Sequence, residues 1–239
     1  MNIDVRLIPN AISEKDVRDR VVVVIDVLRS CSTIATAFAN GAREVIPSPD
    51  MATASRIAAN MDADRFRLGG EKEGRKIDGY HLGNSPLEYT ADEVENRTIV
   101  FKSTNGTDAI LMGTAAKHLV TASLLNAGRV VDFIREQNEE TLLICAGQRG
   151  SVTLEDTICA GLILSRLWNG DEPADCSDTA HLAHQVFRRD EKRIVEALTS
   201  SQAAASIAEM GYPEDAAYCA QVDLHPVLPM LLDNRLTLA

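Results

Sequence analysis

Val21-Val22-Val23-Val24-Ile25-Asp26-Val27-Leu28 decides the fold. An unbroken apolar run rich in β-branched residues, with no polar alternation, marks a strand buried on both faces of a parallel sheet. Similar short runs recur at residues 43–47, 66–68, 98–102, 118–121 and 141–146. Between them lie segments of helical period: 33–40 (ending at Gly41), 51–61, 108–117, 127–137 and 153–169, the last ending before Gly170. Strands alternating with helices predict an α/β sheet covered on both faces. The tail is less regular. Residues 171–218 read as several polar helices and 220–224 as a returning strand, with Pro226 and Pro229 breaking whatever follows. No internal repeat or low-complexity linker is visible. The expected organisation is one domain over residues 1–239, with two lobes sharing a cleft, 1–118 and 119–239, as the second choice.

The chain has 239 residues, with 24 Lys+Arg against 35 Asp+Glu for a net charge of −11. A chain this acidic repels phosphodiester backbones, so nucleic acid is not an expected partner. A small anion must instead meet a local cluster of cations or a metal. No apolar run approaches the about 18–20 residues that cross a bilayer, and the start lacks a signal pattern, so a cytoplasmic protein is expected. Homo-oligomerisation is left open. The five cysteines are scattered, odd in number and without CxxC or zinc-type Cys/His spacing, which predicts reduced thiols. Cys145 and Cys159 sit in apolar surroundings and read as core.

In an open α/β sheet, ligands bind beyond the carboxyl ends of the strands, so the residues after each run carry the chemistry. After the first run come Asp26, Arg29, Ser30, Cys31, Ser32 and Thr33. Asp26 can hold a divalent metal or attack phosphorus. Arg29 can grip anionic oxygens bidentately, and Ser32 and Thr33 open a helix whose free N–H groups favour an anion. After the third run, Glu71 and Lys72 offer a carboxylate and a cation beside Gly69-Gly70. Asn84 and Ser85, before Pro86, supply donors. Thr104, Asn105, Gly106 and Thr107 form a strand-to-helix turn that outlines an oxyanion cradle. After the sixth run, Glu155 or Asp156 is a candidate second acid. His81 is the histidine nearest these loops and a candidate proton shuttle; the other four histidines carry no assigned role. Together these strand ends describe a pocket for a small, multiply anionic ligand, most simply a phosphate ester assisted by a divalent metal.

Several alternatives fail on spacing. No Gly-x-x-x-x-Gly-Lys-Ser/Thr string exists, and Gly69-Gly70 does not complete the dinucleotide fingerprint. A cysteine-phosphatase loop needs an arginine six residues after Cys31, where this chain has Ala37. Haloacid-dehalogenase phosphatases need two acids two residues apart, and Asp26 is followed by Val27 and Leu28.

With these loops in hand, the chain resembles the 2-phosphosulfolactate phosphatase family. The resemblance rests on Asp26-Val27-Leu28-Arg29 with Ser32-Thr33-Ile34, Gly69-Gly70-Glu71, and Gly83-Asn84-Ser85-Pro86 with Glu88. It continues through Thr104-Asn105-Gly106-Thr107, Cys145-Ala146-Gly147 and Glu155-Asp156 with Ala160-Gly161. These blocks stand in family order over about residues 20–162. The family commonly has Ala-Thr where this chain has Ser30-Cys31, so neither residue is counted as catalytic. The resemblance implies a three-layer α/β/α fold with a mostly parallel or mixed sheet that can contain two related halves. It also implies a Mg²⁺-dependent acid phosphatase releasing sulfolactate and phosphate from 2-phospho-3-sulfolactate, a step of coenzyme M synthesis in methanogens. On that footing Asp26 and one or more of Glu71, Glu155 and Asp156 hold Mg²⁺, unless Asp26 is instead the nucleophile. Arg29, Lys72 and the 104–107 turn neutralise phosphoryl oxygens, and Asn84 and Ser85 orient the substrate. The rival functions are a non-catalytic binder of phosphorylated hydroxy acids and a phosphomutase-like transferase.

Overall fold

The computed structural model describes every residue except Met1, Ala11, Gly170 and Ala174; the helix stop expected at Gly170 lies outside the described residues. The chain opens with β1 (Ile3–Arg6), α1 (Glu14–Val17), β2 (Val21–Ile25) and α2 (Ser30–Ala39). Next come β3 (Glu44–Pro47), α3 (Met51–Ala58), β4 (Phe66–Lys72), β5 (Arg75–Lys76) and α4 (Ala91–Val94). β6 (Thr98–Lys102), α5 (Gly106–Met112), β7 (His118–Ala122), α6 (Ala127–Gln137), β8 (Thr141–Cys145) and α7 (Leu154–Leu167) follow. The tail holds α8 (Asp178–Asp190), α9 (Ile194–Thr199), α10 (Gln202–Glu209), α11 (Asp215–Cys219) and the hairpin β9 (Pro229–Leu232) and β10 (Arg235–Leu238).

The strands form one mixed sheet in the order β1-β8-β2-β7-β9-β10-β3-β6-β4-β5. β2 lies between β8 and β7, parallel to both, and all five of its residues are buried. That double burial is the reason its sequence does not alternate. The β9–β10 hairpin joins two parallel blocks through antiparallel pairings that register at one residue pair each, Val120 with Met230 and Leu236 with Val45. The fold is therefore α/β with helices on both faces. Val21, Val23 and Ile25 point into a core with α6, α7 and α8, while Val22 and Val24 point into another with α2 and α5. The second core also takes Val45, Ile99 and Phe101 from the other block. Strands of both blocks thus wrap the same two helices, and strand ends distant in sequence are drawn together.

Three expectations need correction. Residues 220–224 are not a strand: α11 ends at Cys219, and Asp223 turns with φ 58°, its carboxylate accepting from the Gly128 N–H at 2.6 Å at the start of α6. The helix expected over 108–117 ends at Met112, because the chain must turn back for β7. Gly113 there packs so close to Leu119 that an added Cβ would lie 2.4 Å from its Cδ1. Pro226 and Pro229 do not end the regular structure, since Pro229 opens β9 at a position where a strand tolerates proline. Among the described residues, no helix is long and apolar enough to cross a membrane.

Candidate active site

A cavity of about 610 Å³ lies beyond the carboxyl ends of β2, β4, β6 and β8. Asp26, Arg29, Glu71, Asn84, Thr104, Asn105 and Glu155, contributed by separate loops, all line it. Its outer wall comes from the Gln148–Leu154 segment and from α10 with its approach, including Ser201, Gln202, Ser206 and Met210.

Asp26 follows directly on β2 and is buried. Its Oδ1 accepts from the Ser30 N–H at 3.0 Å, so the carboxylate caps the helix that begins there. Its Oδ2 faces the first residue of α5, where a Cβ on Gly106 would lie 2.5 Å away; only glycine permits that approach. Asp156, in the first turn of α7, accepts from the N–H groups of Val27 at 2.8 Å and Gly147 at 3.1 Å. It ties the turn after β2 to the turn after β8 and sits behind the cavity wall. Beside it, Glu155 reaches the cavity with Oε2 buried and without a hydrogen-bond partner. Burial pushes all three carboxyls up to about 7, reinforced by Asp156 beside Asp26, Asp26 beside Glu155, and Glu155 beside Asp156.

Arg29 is held from three sides. Its Nη1 donates to Asp215 Oδ2 at 2.7 Å, its Nη2 donates to the Gly74 carbonyl at 2.9 Å, and its guanidinium lies over the Tyr212 ring, 4.5 Å from the centroid. Ser85 donates to the other oxygen of Asp215 at 2.7 Å. Glu71 accepts from the Thr104 N–H, from the Thr104 hydroxyl at 2.9 Å and from the Gly74 N–H at 2.6 Å. It therefore fastens the Thr104 loop to the β4–β5 turn. The Asn84 carbonyl is fixed by the Thr33 hydroxyl at 2.8 Å, while Asn84 Oδ1 is buried without a partner.

Other sequence candidates stand outside the wall. Ser32 donates to the Val27 carbonyl at 2.7 Å, and Thr107 pairs with Ser103 inside its own turn at 2.9 Å. Both, like Thr33 and Ser85, hold the frame. Gly106 touches Asp26 from behind. Lys72 is exposed and does not line the cavity. His81 is exposed, away from the wall, accepting from the Leu68 N–H at Nδ1. Sequence reading missed Asp215 and Tyr212, which reach Arg29 from the tail. An acid and an aromatic near a short helix look like surface residues, and nothing local shows that Asp215 is buried.

Asp26, Glu71, Glu73 and Glu155 line the cavity against Arg29, already paired, and Arg149. A cation added beside these carboxylates would offset their repulsion of an anionic ester. The unpartnered Glu155 Oε2 and Asn84 Oδ1 are oxygen donors of the type hard cations take. Among the described residues no three of these carboxylates bring ligand atoms within 4.8 Å of one another, so no all-protein cage is preformed. Mg²⁺ needs none, because it commonly binds one or two carboxylates and completes its shell with water and substrate phosphate.

Comparison with known proteins points to a phosphatase family. A family described as 2-phosphosulpholactate phosphatase matches residues 6–234. A protein of Symbiobacterium thermophilum named probable 2-phosphosulfolactate phosphatase is 38% identical over 94% of this chain and 96% of its own length. Proteins of the same name are 35% identical in Caldanaerobacter subterraneus subsp. tengcongensis (93% of this chain, 92% of that protein) and 36% identical in Pseudothermotoga lettingae (98% and 97%). With nearly the whole chain matched, this protein belongs to the 2-phosphosulfolactate phosphatase family, a family of phosphoric monoester hydrolases.

Proposed function

We propose that this protein is a Mg²⁺-dependent phosphatase that hydrolyses 2-phospho-3-sulfolactate, or a closely related 2-hydroxy-acid phosphate ester, to the hydroxy acid and phosphate. The observation that carries the reading is the meeting of Asp26, Glu155 and Arg29 around one cavity, with Glu155 Oε2 and Asn84 Oδ1 buried and unpartnered. Asp26, Glu155 and Asn84 are the residues that would hold Mg²⁺, with Glu71 and Asp156 fixing the loops around them. The ion supplies positive charge against the phosphoryl oxygens and lets neighbouring carboxylates ionise together.

The chain's own groups do the rest. Arg29, preset by Asp215, Gly74 and Tyr212, offers its remaining N–H groups to phosphoryl oxygens without reorganisation as charge spreads in the transition state. The Thr104 N–H is committed to Glu71, so the backbone N–H of the cavity-lining Asn105 takes a further oxygen. Glu155 would be ionised while it holds the ion, so the proton for the departing alkoxide comes from solvent water as the bond to phosphorus breaks. Arg149 and the polar α10 wall meet the carboxylate and sulfonate of the substrate. Asp26 either holds the ion while water attacks or itself attacks phosphorus; trapped phosphoenzyme carrying label on Asp26 selects the second course.

The test is phosphate release from a panel of 2-phospho-hydroxy acids, with and without Mg²⁺, by wild type and Asp26→Asn. Release by wild type that requires the ion and falls about 10³-fold or more in the variant is expected. Saturable binding without release would leave a binder, and transfer to a second acid would leave a mutase; either result overturns the hydrolase.

A further inference from the structure

A second cluster lies far from the cavity, where α7 connects to α8. Glu172, Cys176 and His181 bring a carboxylate oxygen, Sγ and a ring nitrogen within 4.8 Å of one another, the one such grouping of three among the described residues. Cys176 Sγ is 3.5 Å from Glu172 Oε1, and His181 Nδ1 is in hydrogen-bond contact with that same oxygen. A tetrahedral centre with a zinc–oxygen distance of about 2.0 Å and a zinc–sulfur distance of about 2.3 Å separates the thiolate and the carboxylate oxygen by about 3.5 Å. The same centre separates an oxygen and a nitrogen by about 3.3 Å, so the exposed His181 ring swings back from its hydrogen bond to admit the ion. The second carboxylate oxygen, Oε2, is held by His184 Nδ1 at 2.6 Å. His184 is only 3% exposed, stands edge-on to Trp168 with centroids 5.2 Å apart, and keeps Nε2 buried without a partner. A metal-ligating carboxylate is commonly oriented in this way by a buried neighbour.

We propose that Glu172, Cys176 and His181 form a zinc-class transition-metal site, with His184 as the positioning residue that orients the Glu172 carboxylate. One thiolate, one imidazole and one carboxylate suit Zn²⁺ and disfavour Mg²⁺, which takes an all-oxygen shell. The spacing Glu-x₃-Cys-x₄-His is not a zinc pattern legible in sequence; the reversal of the chain between α7 and α8 assembles it. The site is separate from the cavity, since Glu155 and Leu167 are divided by about 18 Å of helix. Its role is structural: it clips the ends of two helices whose other portions position Glu155 and Asp156. Because three protein ligands leave a fourth position for water, the site binds metal in the folded chain without rearranging the core.

The test uses chelator-stripped, full-length protein titrated with Zn²⁺ and, separately, Co²⁺. One Zn²⁺ per chain is expected, raising the melting temperature, with affinity reduced about 100-fold in Cys176→Ser and in His181→Ala. His181 is exposed, so the second variant folds if the first does not. Co²⁺ should give a near-ultraviolet thiolate-to-metal charge-transfer band in wild type and none in Cys176→Ser. His184→Gln, which keeps a donor toward Glu172, should weaken binding less than His184→Ala. Undiminished zinc binding in both ligand variants, or zinc lost on Asp26→Asn but not on Cys176→Ser, overturns the site. So does a cobalt spectrum without the thiolate band. Mg²⁺-dependent phosphate release should stay within about twofold of wild type in His181→Ala, so failure of this site is distinguishable from failure of the phosphatase reading.

Discussion

At Gly106 a single missing methyl group decides how closely α5 approaches Asp26. A Cβ there would lie 2.5 Å from Asp26 Oδ2 and 2.6 Å from Ser30 Cβ, both of them buried residues. Gly106→Ala must push the start of α5 away from the carboxylate. Displacements near 1 Å commonly lower rates about 100-fold, so kcat should fall by that order while circular dichroism stays unchanged. An unaltered kcat would show that Asp26 does not need this contact. The Arg29–Asp215 pair is a second residue-scale case, because each side chain is 2% exposed. Asp215→Ala strands a buried guanidinium and should lower stability by about 3–5 kcal/mol, measured by denaturant midpoint. Replacing both partners, Arg29→Met with Asp215→Leu, should recover much of that loss without recovering phosphate release. Recovery of both would mean that Arg29 serves packing alone.

The helices and strands differ in how far the sequence reveals them. β2 was legible because five consecutive buried residues admit one reading. β1 alternates buried and half-buried residues over four positions, too short a signal to stand out. The β9–β10 hairpin carries its signal in Asp233-Asn234, both with positive φ (48° and 61°), the two-residue turn that matches strand twist. Two nearby prolines obscured it, although Pro229 only opens a strand. At the site, Ser32, Thr33, Lys72, Ser85 and Thr107 share the strand-end signal without reaching the cavity wall. Of that wall, Asp26, Arg29, Glu71, Asn84, Thr104, Asn105 and Glu155 were readable from topology, since ligands gather beyond carboxyl ends. Asp215, Tyr212 and the α10 wall were not, because no local pattern says which tail helix folds back over a cavity. The α7–α8 pair holds the acidic end of the site in place. Gly161 lets these helices approach so closely that an added Cβ would lie 2.2 Å from the Ala183 carbonyl and 2.5 Å from Phe187 Cβ. Gly161→Ala should therefore cost about 1–3 kcal/mol by overpacking, read as a lowered denaturant midpoint. A neutral result would mean that α8 slides freely on α7.

For the whole molecule, an acidic protein that buries carboxyls together should respond to pH in an unusual direction. Asp26, Glu155 and Asp156 sit at about 7 in the folded chain because burial penalises their charge, whereas exposed carboxyls in the unfolded chain titrate near 4. Between those values the native state keeps protons that the unfolded state gives up. Stability then falls as pH rises through that window. Glu172 behaves oppositely: burial raises it, but hydrogen bonds from His181, His184 and Cys176 outweigh burial and hold it at about 2. Its contribution is present above the ordinary carboxylate range and fades only in acid, so it adds no slope between pH 5 and 8. His81 and His225, both lowered by burial, oppose the three carboxyls only below the ordinary histidine range. The metal-free protein should accordingly lose of the order of 5 °C in melting temperature from pH 5 to pH 8 at constant ionic strength. Mg²⁺ needs the ionised carboxylates and competes with their protons, so its stabilising effect should be small at pH 5 and grow through pH 7. Asp26→Asn should flatten the metal-free slope and abolish most of the Mg²⁺ response. A melting temperature that rises with pH in the metal-free wild type would mean that the three carboxyls are solvated, and the cavity would then lack the clustered charge that calls for a cation.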